Sequence, residues 1–326
     1  MRLAFSTTGF EAKEWEGEAA VARIRQQFQA LPVDGFELVD EPASGEMIVL
    51  IESVAFKERN YARFLAGHPL IREHGDRCLV YNYEDHPIAF LPGAYVALSA
   101  NQFDPKFHRA CAYLEVHNRQ CLEPLPDVKP AKLFGFRGNV TSHPVRSEIM
   151  KLGKNDAWRL ESTGSWYNHS QDELARFVAG LLESKYVLCP RGLGPASHRL
   201  FESMAVGRAP VIISDSWVPP KGPDWDAFAI FVTEADVERL PAILGSIEGE
   251  WEDRGRLSRR EWERWFGPET GLKTLLLALR ELRHETRPGM EWLAKQWVKD
   301  SFYRPYGQGN AQKGLRKIRK LLGGKS

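Results

Sequence analysis

The chain has 326 residues, enough for two domains that each bury a core, and its 43% hydrophobic and 27% charged residues are those of a water-soluble globular protein. A formal net charge of +1 gives no bulk electrostatic reason to bind nucleic acid. Cys78, Cys111, Cys121 and Cys189 stand without CxxC or Cys/His ligand spacing, which argues for reduced structural thiols and against a metal site.

The run Met1 to Gly9 lacks the apolar stretch of a signal peptide, and no window reaches the roughly 18 apolar residues of a membrane span. A cytoplasmic protein is expected. Short β-like runs follow at Leu3 to Phe5, Phe36 to Val39, Met47 to Ile51 and Cys78 to Tyr83, with a helix over Glu16 to Leu31. This alternation predicts a parallel sheet. Three prolines in the eight residues from Glu123 to Pro130 disfavour helix and central strand, so this stretch is taken as the interdomain linker.

The alternation then resumes. Strands are predicted at Leu133 to Phe136, Ala157 to Leu160, Tyr186 to Cys189, Pro210 to Ile213 and Phe228 to Val232. Helices are predicted at Val145 to Leu152, Asp172 to Glu183, His198 to Val206 and Ala235 to Ile247. Beyond Glu250 the pattern is helical, with a tail that could cross back. The expected architecture is α/β, two Rossmann-like domains facing a cleft with a helical C-terminal tail. The expected bounds are 1–125 for an acceptor-side domain, 126–290 for a nucleotide-sugar-binding domain and 291–326 for terminal helices and a basic tail.

Ligands of such sheets bind beyond the carboxyl ends of strands. There Ser184 to Gly207 reads as a buried strand, a glycine turn and a helix start. Gly192 and Gly194 let backbone approach a ligand, and Ser197 is suited to capping a helix whose free N–H groups attract a diphosphate. Arg199, Glu202 and Ser203 share one helix face, opposite Leu200, Phe201, Met204 and Ala205. Arg191 and Arg199 could neutralise charge on a leaving diphosphate, and Glu202 could accept bonds from ribose hydroxyls. A third glycine is missing and no P-loop Gly-Lys-Ser/Thr follows, which disfavours a dehydrogenase or an NTPase.

From Ser184 to Ile247 the order Ser-Lys-Tyr-Val-Leu-Cys-Pro-Arg-Gly, Ser-His-Arg-Leu-Phe-Glu-Ser-Met-Ala-Val-Gly, Ala-Pro-Val-Ile-Ile-Ser-Asp and Asp-Trp-Asp-Ala-Phe-Ala-Ile resembles the exostosin family of glycosyltransferases. Upstream, Leu-Phe-Gly-Phe-Arg137-Gly138 resembles the first strand of the same half. The resemblance covers about Phe134 to Ile247. It implies a GT-B enzyme, inverting and generally metal-independent, with Arg191, Ser197, Arg199 and Glu202 at donor-binding positions. A nucleotide-diphosphate sugar, UDP favoured, would be the co-substrate, with no cofactor and no metal. The chain departs from eukaryotic members in lacking an amino-terminal anchor and in its shorter first domain, which points to a bacterial-type cytosolic enzyme of polysaccharide biosynthesis.

Ser214, Asp215 and Trp217, beyond Ile213, are placed to hold the donor sugar. Arg137, His143 and Arg146 could face the diphosphate. Asp224-Trp-Asp226 has the spelling of a metal motif but offers no further ligands, and Asn139-Val-Thr141, a glycosylation spelling, has no meaning without secretion. The general base is expected from the first domain, with Asp85 the candidate and Glu84 or His86 as alternates. The segment Lys313 to Lys325 carries six basic residues and an apolar stripe, and could rest on an anionic inner membrane that holds a lipid-linked acceptor; a glycan is the other acceptor class. Two rival readings are a non-catalytic nucleotide- or glycan-binding subunit and a nucleotide-sugar-modifying α/β enzyme.

Overall fold

A computed structural model describes residues 1–10, 14–52, 59–164, 170–284 and 289–306. The chain divides into two compact units, Met1–Arg109 with the segment from Ala278 onward, and Ala110–Leu277. The first unit runs β1 (Arg2–Ser6), α1 (Glu14–Ala30), β2 (Glu37–Leu38), β3 (Met47–Glu52), α2 (Arg59–Gly67), α3 (Pro69–His74), β4 (Cys78–Asn82), β5 (Gly93–Tyr95) and β6 (His108–Ala110). Its sheet has the order β2-β1-β3-β4-β5-β6, and the pairings from β2 to β5 are parallel. Every residue of β3 and β4 is buried, so these strands are near-continuous apolar runs, as sheets covered on both faces require.

The second unit runs β7 (Lys132–Gly138), α4 (Pro144–Met150), β8 (Trp158–Ser162), α5 (Gln171–Leu182), β9 (Ser184–Pro190), α6 (His198–Ala205), β10 (Ala209–Ile213), α7 (Trp225–Phe228), β11 (Ile230–Val232), α8 (Leu240–Ser246), α9 (Trp251–Trp265) and the first half of α10 (Gly271–His284), whose second half, from Ala278, counts with the first unit. The sheet order is β11-β10-β9-β7-β8, all parallel. The register sets Gly138 beside Ser162, Pro190 beside Ile213 and Ile213 beside Val232, so the five strands end along one edge. Two Rossmann-like parallel sheets in one chain are the architecture expected of a GT-B protein.

The strands expected from the apolar runs are present, with one shift, while β5 and β6 are short strands that no such run announced. Phe228 closes α7, and β11 begins only at Ile230. The helix expected over Ala235 to Ile247 is a 3-10 segment, Glu234–Arg239, followed by α8, because Pro241 sits in the first turn of α8 and has no N–H to donate to the turn before it. α6 ends as its sequence dictates. Gly207, at φ 71°, takes the left-handed position after Val206, the N–H of Arg208 reaches the Ser203 carbonyl at 2.8 Å, and that of Gly207 reaches Met204 at 3.0 Å.

The unit boundary falls after Arg109 and not in the proline-rich stretch. Residues 113 to 118 are packed within the second unit, with Tyr113 stacked on His198 at a ring separation of 3.5 Å and the Asn118 side chain bonded to the Leu174 carbonyl at 2.9 Å. Prolines remove helix and ladder hydrogen bonds without making a hinge. The terminal helices are likewise no separate piece. In α11 (Met290–Trp297) Leu293 and Trp297 join the buried cluster of Ile48, Tyr61 and Phe90, and the Trp297 Nε1–H donates to the Phe90 carbonyl at 2.9 Å. α12 (Asp300–Tyr303) follows, its Phe302 stacked on Phe90. The basic run Lys313 to Lys325 lies outside the described residues, and no described helix is long and apolar enough to cross a membrane.

Ser170 caps α5, accepting the Glu173 N–H at 3.3 Å. Glu173 in turn holds Arg137. Ser170→Ala is expected to cost about 1 kcal/mol of stability, measurable as a lower urea midpoint with an unchanged slope.

Candidate functional site

The sheet of the second unit reverses its strand order between β7 and β9, and in open α/β sheets a ligand crevice opens beyond the carboxyl ends at such a point. Two buried arginines lace this point in opposite senses. Arg146, on the helix after β7, donates to the carbonyls at the end of β9, Pro190 at 3.2 Å and Arg191 at 2.8 Å, and to Asn139 at 2.9 Å. Arg199, on the helix after β9, donates to the Arg137 carbonyl at the end of β7, at 2.6 Å. A Cβ on Gly192 would come within 3.1 Å of the Arg146 guanidinium. Gly192 thus makes room for Arg146, and neither it nor Gly194 needs a positive φ.

Arg199 and Glu202 are not on an open face. Every residue from Arg199 to Ala205 is buried, because residues 113 to 118 cover the start of α6 and α9 covers its other side, where Phe201 meets Phe266. The spacing of α6 distinguishes two faces, and the fold covers both. Glu202 accepts the Asn118 backbone N–H at 2.9 Å; burial pushes its carboxyl up to about 7, against the opposing pull of that N–H and of Arg199. Burial also lowers the Arg199 pKa, its guanidinium lying 4.7 Å from the centre of the Phe136 ring. Among the described residues its Nε and Nη1 have no hydrogen-bond partner. Ser197 makes no side-chain cap, contrary to expectation: α6 begins without one, and its first residue, His198, stacks on Tyr113.

Arg137 keeps its side chain in ion pairs with Glu161 and Glu173. Burial alone would raise Glu161, but Arg159 and Arg137 overrule it and hold the carboxyl below the usual range. Arg137 and Arg199 line a small pocket with Phe136, Phe177, Arg159 and Glu161.

Arg191, at the end of β9, points to the loops after β10 and β11, with Nη1 3.2 Å from Ser216 Oγ and 3.5 Å from Glu234 Oε1. Its Nε, and the hydroxyl of Ser214, are buried without a partner among the described residues. Asp215 and Glu234 hold each other reciprocally: the Asp215 N–H reaches Glu234 Oε1 at 3.2 Å and the Glu234 N–H reaches Asp215 Oδ1 at 2.9 Å. His143 caps α4 through Nδ1, 3.3 Å from the Val145 N–H, and its Nε2 lies 3.8 Å from Glu234 Oε2. Arg191, His143, Ser214 and Asp215 are thus brought to one edge. Glu234 is the residue that sequence reasoning missed; its one signal was its place beyond the end of a strand. Trp217 is buried edge-on to Trp225.

In the first unit Asp85, with Glu84 and His86, lies in the loop after β4, and the Glu84 N–H bonds to the Asn82 side chain at 3.0 Å. The sheet reverses between β1 and β3, where Glu52 is buried and accepts from the Tyr61 hydroxyl, from Thr8 at 3.4 Å and from Asn82 at 3.5 Å. Among the described residues no group of three or more His, Cys, Asp or Glu is placed to hold a metal ion.

Comparison with known proteins adds relatives. A probable glucuronosyltransferase of Oryza sativa subsp. japonica is 37% identical over 127 residues, 37% of this chain and 29% of its own length. A probable beta-1,4-xylosyltransferase of Arabidopsis thaliana is 30% identical over 130 residues, 38% of this chain and 32% of its own. The matched region thus spans about a third of the length of these curated relatives. Among solved structures, the lipopolysaccharide outer core galactosyltransferase WaaB aligns over 86% of this chain and 99% of its own, with a TM-score of 0.47 and 11% identity. TarM aligns over 81% of this chain and 58% of its own, with a TM-score of 0.41 and 9% identity. The family model of the exostosin GT47 domain matches residues 67–247, more than half of the sequence and all of the edge described above, and the chain belongs to that family.

Proposed function

We propose that the protein is an inverting glycosyltransferase that moves a sugar from a nucleotide-diphosphate donor, UDP favoured, to a glycan or lipid-linked acceptor in polysaccharide synthesis. The observation that carries this reading is the set of buried guanidinium N–H groups, Nε of Arg191 and Nε and Nη1 of Arg199, that have no protein partner among the described residues where the strand order reverses. Buried donors of this kind call for a partner, and planar guanidinium forks suit phosphate oxygens. Family membership and the names of the relatives support the same reading.

In this reaction the acceptor oxygen bonds to the anomeric carbon from the face opposite the leaving group. The bond from that carbon to the β-phosphate oxygen breaks, and the nucleoside diphosphate departs with the electron pair. Arg191 and Arg199 offset the developing negative charge, so the chemistry needs no metal ion. The acceptor proton passes to a base of the first unit, with Asp85 in that role. The basic segment Lys313 to Lys325 would hold the protein against the cytoplasmic face of an anionic membrane.

Calorimetry against a panel of nucleoside diphosphates tests the donor half directly. One member of the panel is expected to bind in the micromolar range, and its sugar conjugate to be hydrolysed slowly without acceptor. A chain that binds no nucleoside diphosphate is not this enzyme.

A further inference from the structure

Four loops of the second unit converge on one carboxylate, that of Glu234. The loop after β7 brings His143, the end of β9 brings Arg191, the loop after β10 brings Asp215, and Glu234 itself opens the segment after β11. Its side chain is 22% exposed, so the carboxylate is neither sealed in the core nor free in solvent.

A carboxylate offers about four acceptor positions, and the protein uses few of them here. Oε1 receives the Asp215 N–H and the more distant Arg191 Nη1. No hydrogen bond from a described residue ends on Oε2, and His143 Nε2 lies 3.8 Å from it. A brace between loops needs Oε1 and the reciprocal Asp215 bond, but leaves Oε2 unexplained.

His143 supplies the complementary group. Its Nδ1 accepts the Val145 N–H, so the neutral ring carries its proton on Nε2, facing Glu234. Burial, Arg191 and Arg146 lower the pKa of the ring against the opposing pull of Glu234, which favours its neutral form. An acceptor and a donor therefore stand side by side, next to the guanidinium assigned to the diphosphate. Adjacent hydroxyls on a sugar ring, each able to donate and accept, match that pair.

We propose that Glu234 Oε2, with the Nε2–H of His143, binds vicinal hydroxyls of the nucleotide sugar. The proposal rests on the donor-binding reading of Arg191. The hydroxyls belong either to the ribose or to the transferred sugar, and the two sources separate experimentally.

The test is calorimetry of wild type and Glu234→Gln with inorganic pyrophosphate, UDP and UDP-glucose. The amide oxygen of Gln preserves the Asp215 contact. Affinity for pyrophosphate should hold or tighten. Affinity for UDP should fall about tenfold if the ribose is bound, and affinity for UDP-glucose alone should fall about tenfold if the transferred sugar is bound. Equal changes for all three probes, or none, overturn the proposal. Wild type that binds none of the probes overturns the donor reading itself. Glu234→Asp, which withdraws the carboxylate by one methylene, serves where the Gln variant misfolds and should show the same pattern.

Discussion

Arg191→Ala is expected to lower kcat/KM for sugar transfer by about 10²–10³, the usual loss when one preorganised donor to developing charge is removed. The fold barely depends on this side chain. Its protein contacts, 3.2 Å to Ser216 and 3.5 Å to Glu234, are long for charged hydrogen bonds, and its Nε is spent on nothing described. The melting temperature should therefore stay close to that of wild type while nucleoside diphosphate affinity falls. Kinetics paired with calorimetry decide the matter, and an Arg191→Ala enzyme that binds the nucleotide normally removes Arg191 from the donor site. Arg199→Ala differs, because Arg199 ties α6 to the end of β7 and sits on Phe136, so both affinity and stability should fall.

Glu202→Gln is expected to flatten the pH dependence of stability. In the folded chain the Glu202 carboxyl titrates at about 7, against 4.5 as its ordinary value, so between these limits the folded state holds the extra proton. Unfolding then becomes easier as pH rises through this window, with roughly 3 kcal/mol lost by the upper limit. Gln cannot titrate, yet its amide oxygen can still accept the Asn118 N–H. Urea unfolding at pH 5 and pH 8 should show wild type losing roughly 2.5 kcal/mol more than Glu202→Gln. Parallel losses in the two proteins mean that Glu202 is not held buried and partly neutral.

Much of the fold was legible because buried parallel strands must be apolar throughout. The runs at Met47, Cys78, Tyr186 and Pro210 have no competing reading once flanked by helical segments. The same pattern located Arg191, Ser214 and Asp215, since each follows such a run directly. The unit boundary was not legible. Prolines at 124, 126 and 130 mark an absence of ladder and helix bonds, whereas membership in a unit is decided by packing such as that of Tyr113 on His198.

Glu234 escaped notice because Thr-Glu-Ala-Asp spells an ordinary helix start, and only the register of β10 and β11 sets it opposite Asp215 and within reach of Arg191 and His143. The amphipathic pattern of α6 suggested an open polar face, but periodicity reports which residues share a face and not what covers it.

The sequence by itself determined two α/β units with parallel strands, the glycine stop of α6 and the family to which the chain belongs, because these follow from local propensity, apolar periodicity and the order of short motifs. Tertiary structure alone decided that Arg146 and Arg199 cross between strand ends, that Glu202 is buried and that four loops meet at Glu234. Those outcomes depend on contacts between residues distant in the chain, and the reach of a side chain across a sheet edge leaves no trace in local spacing.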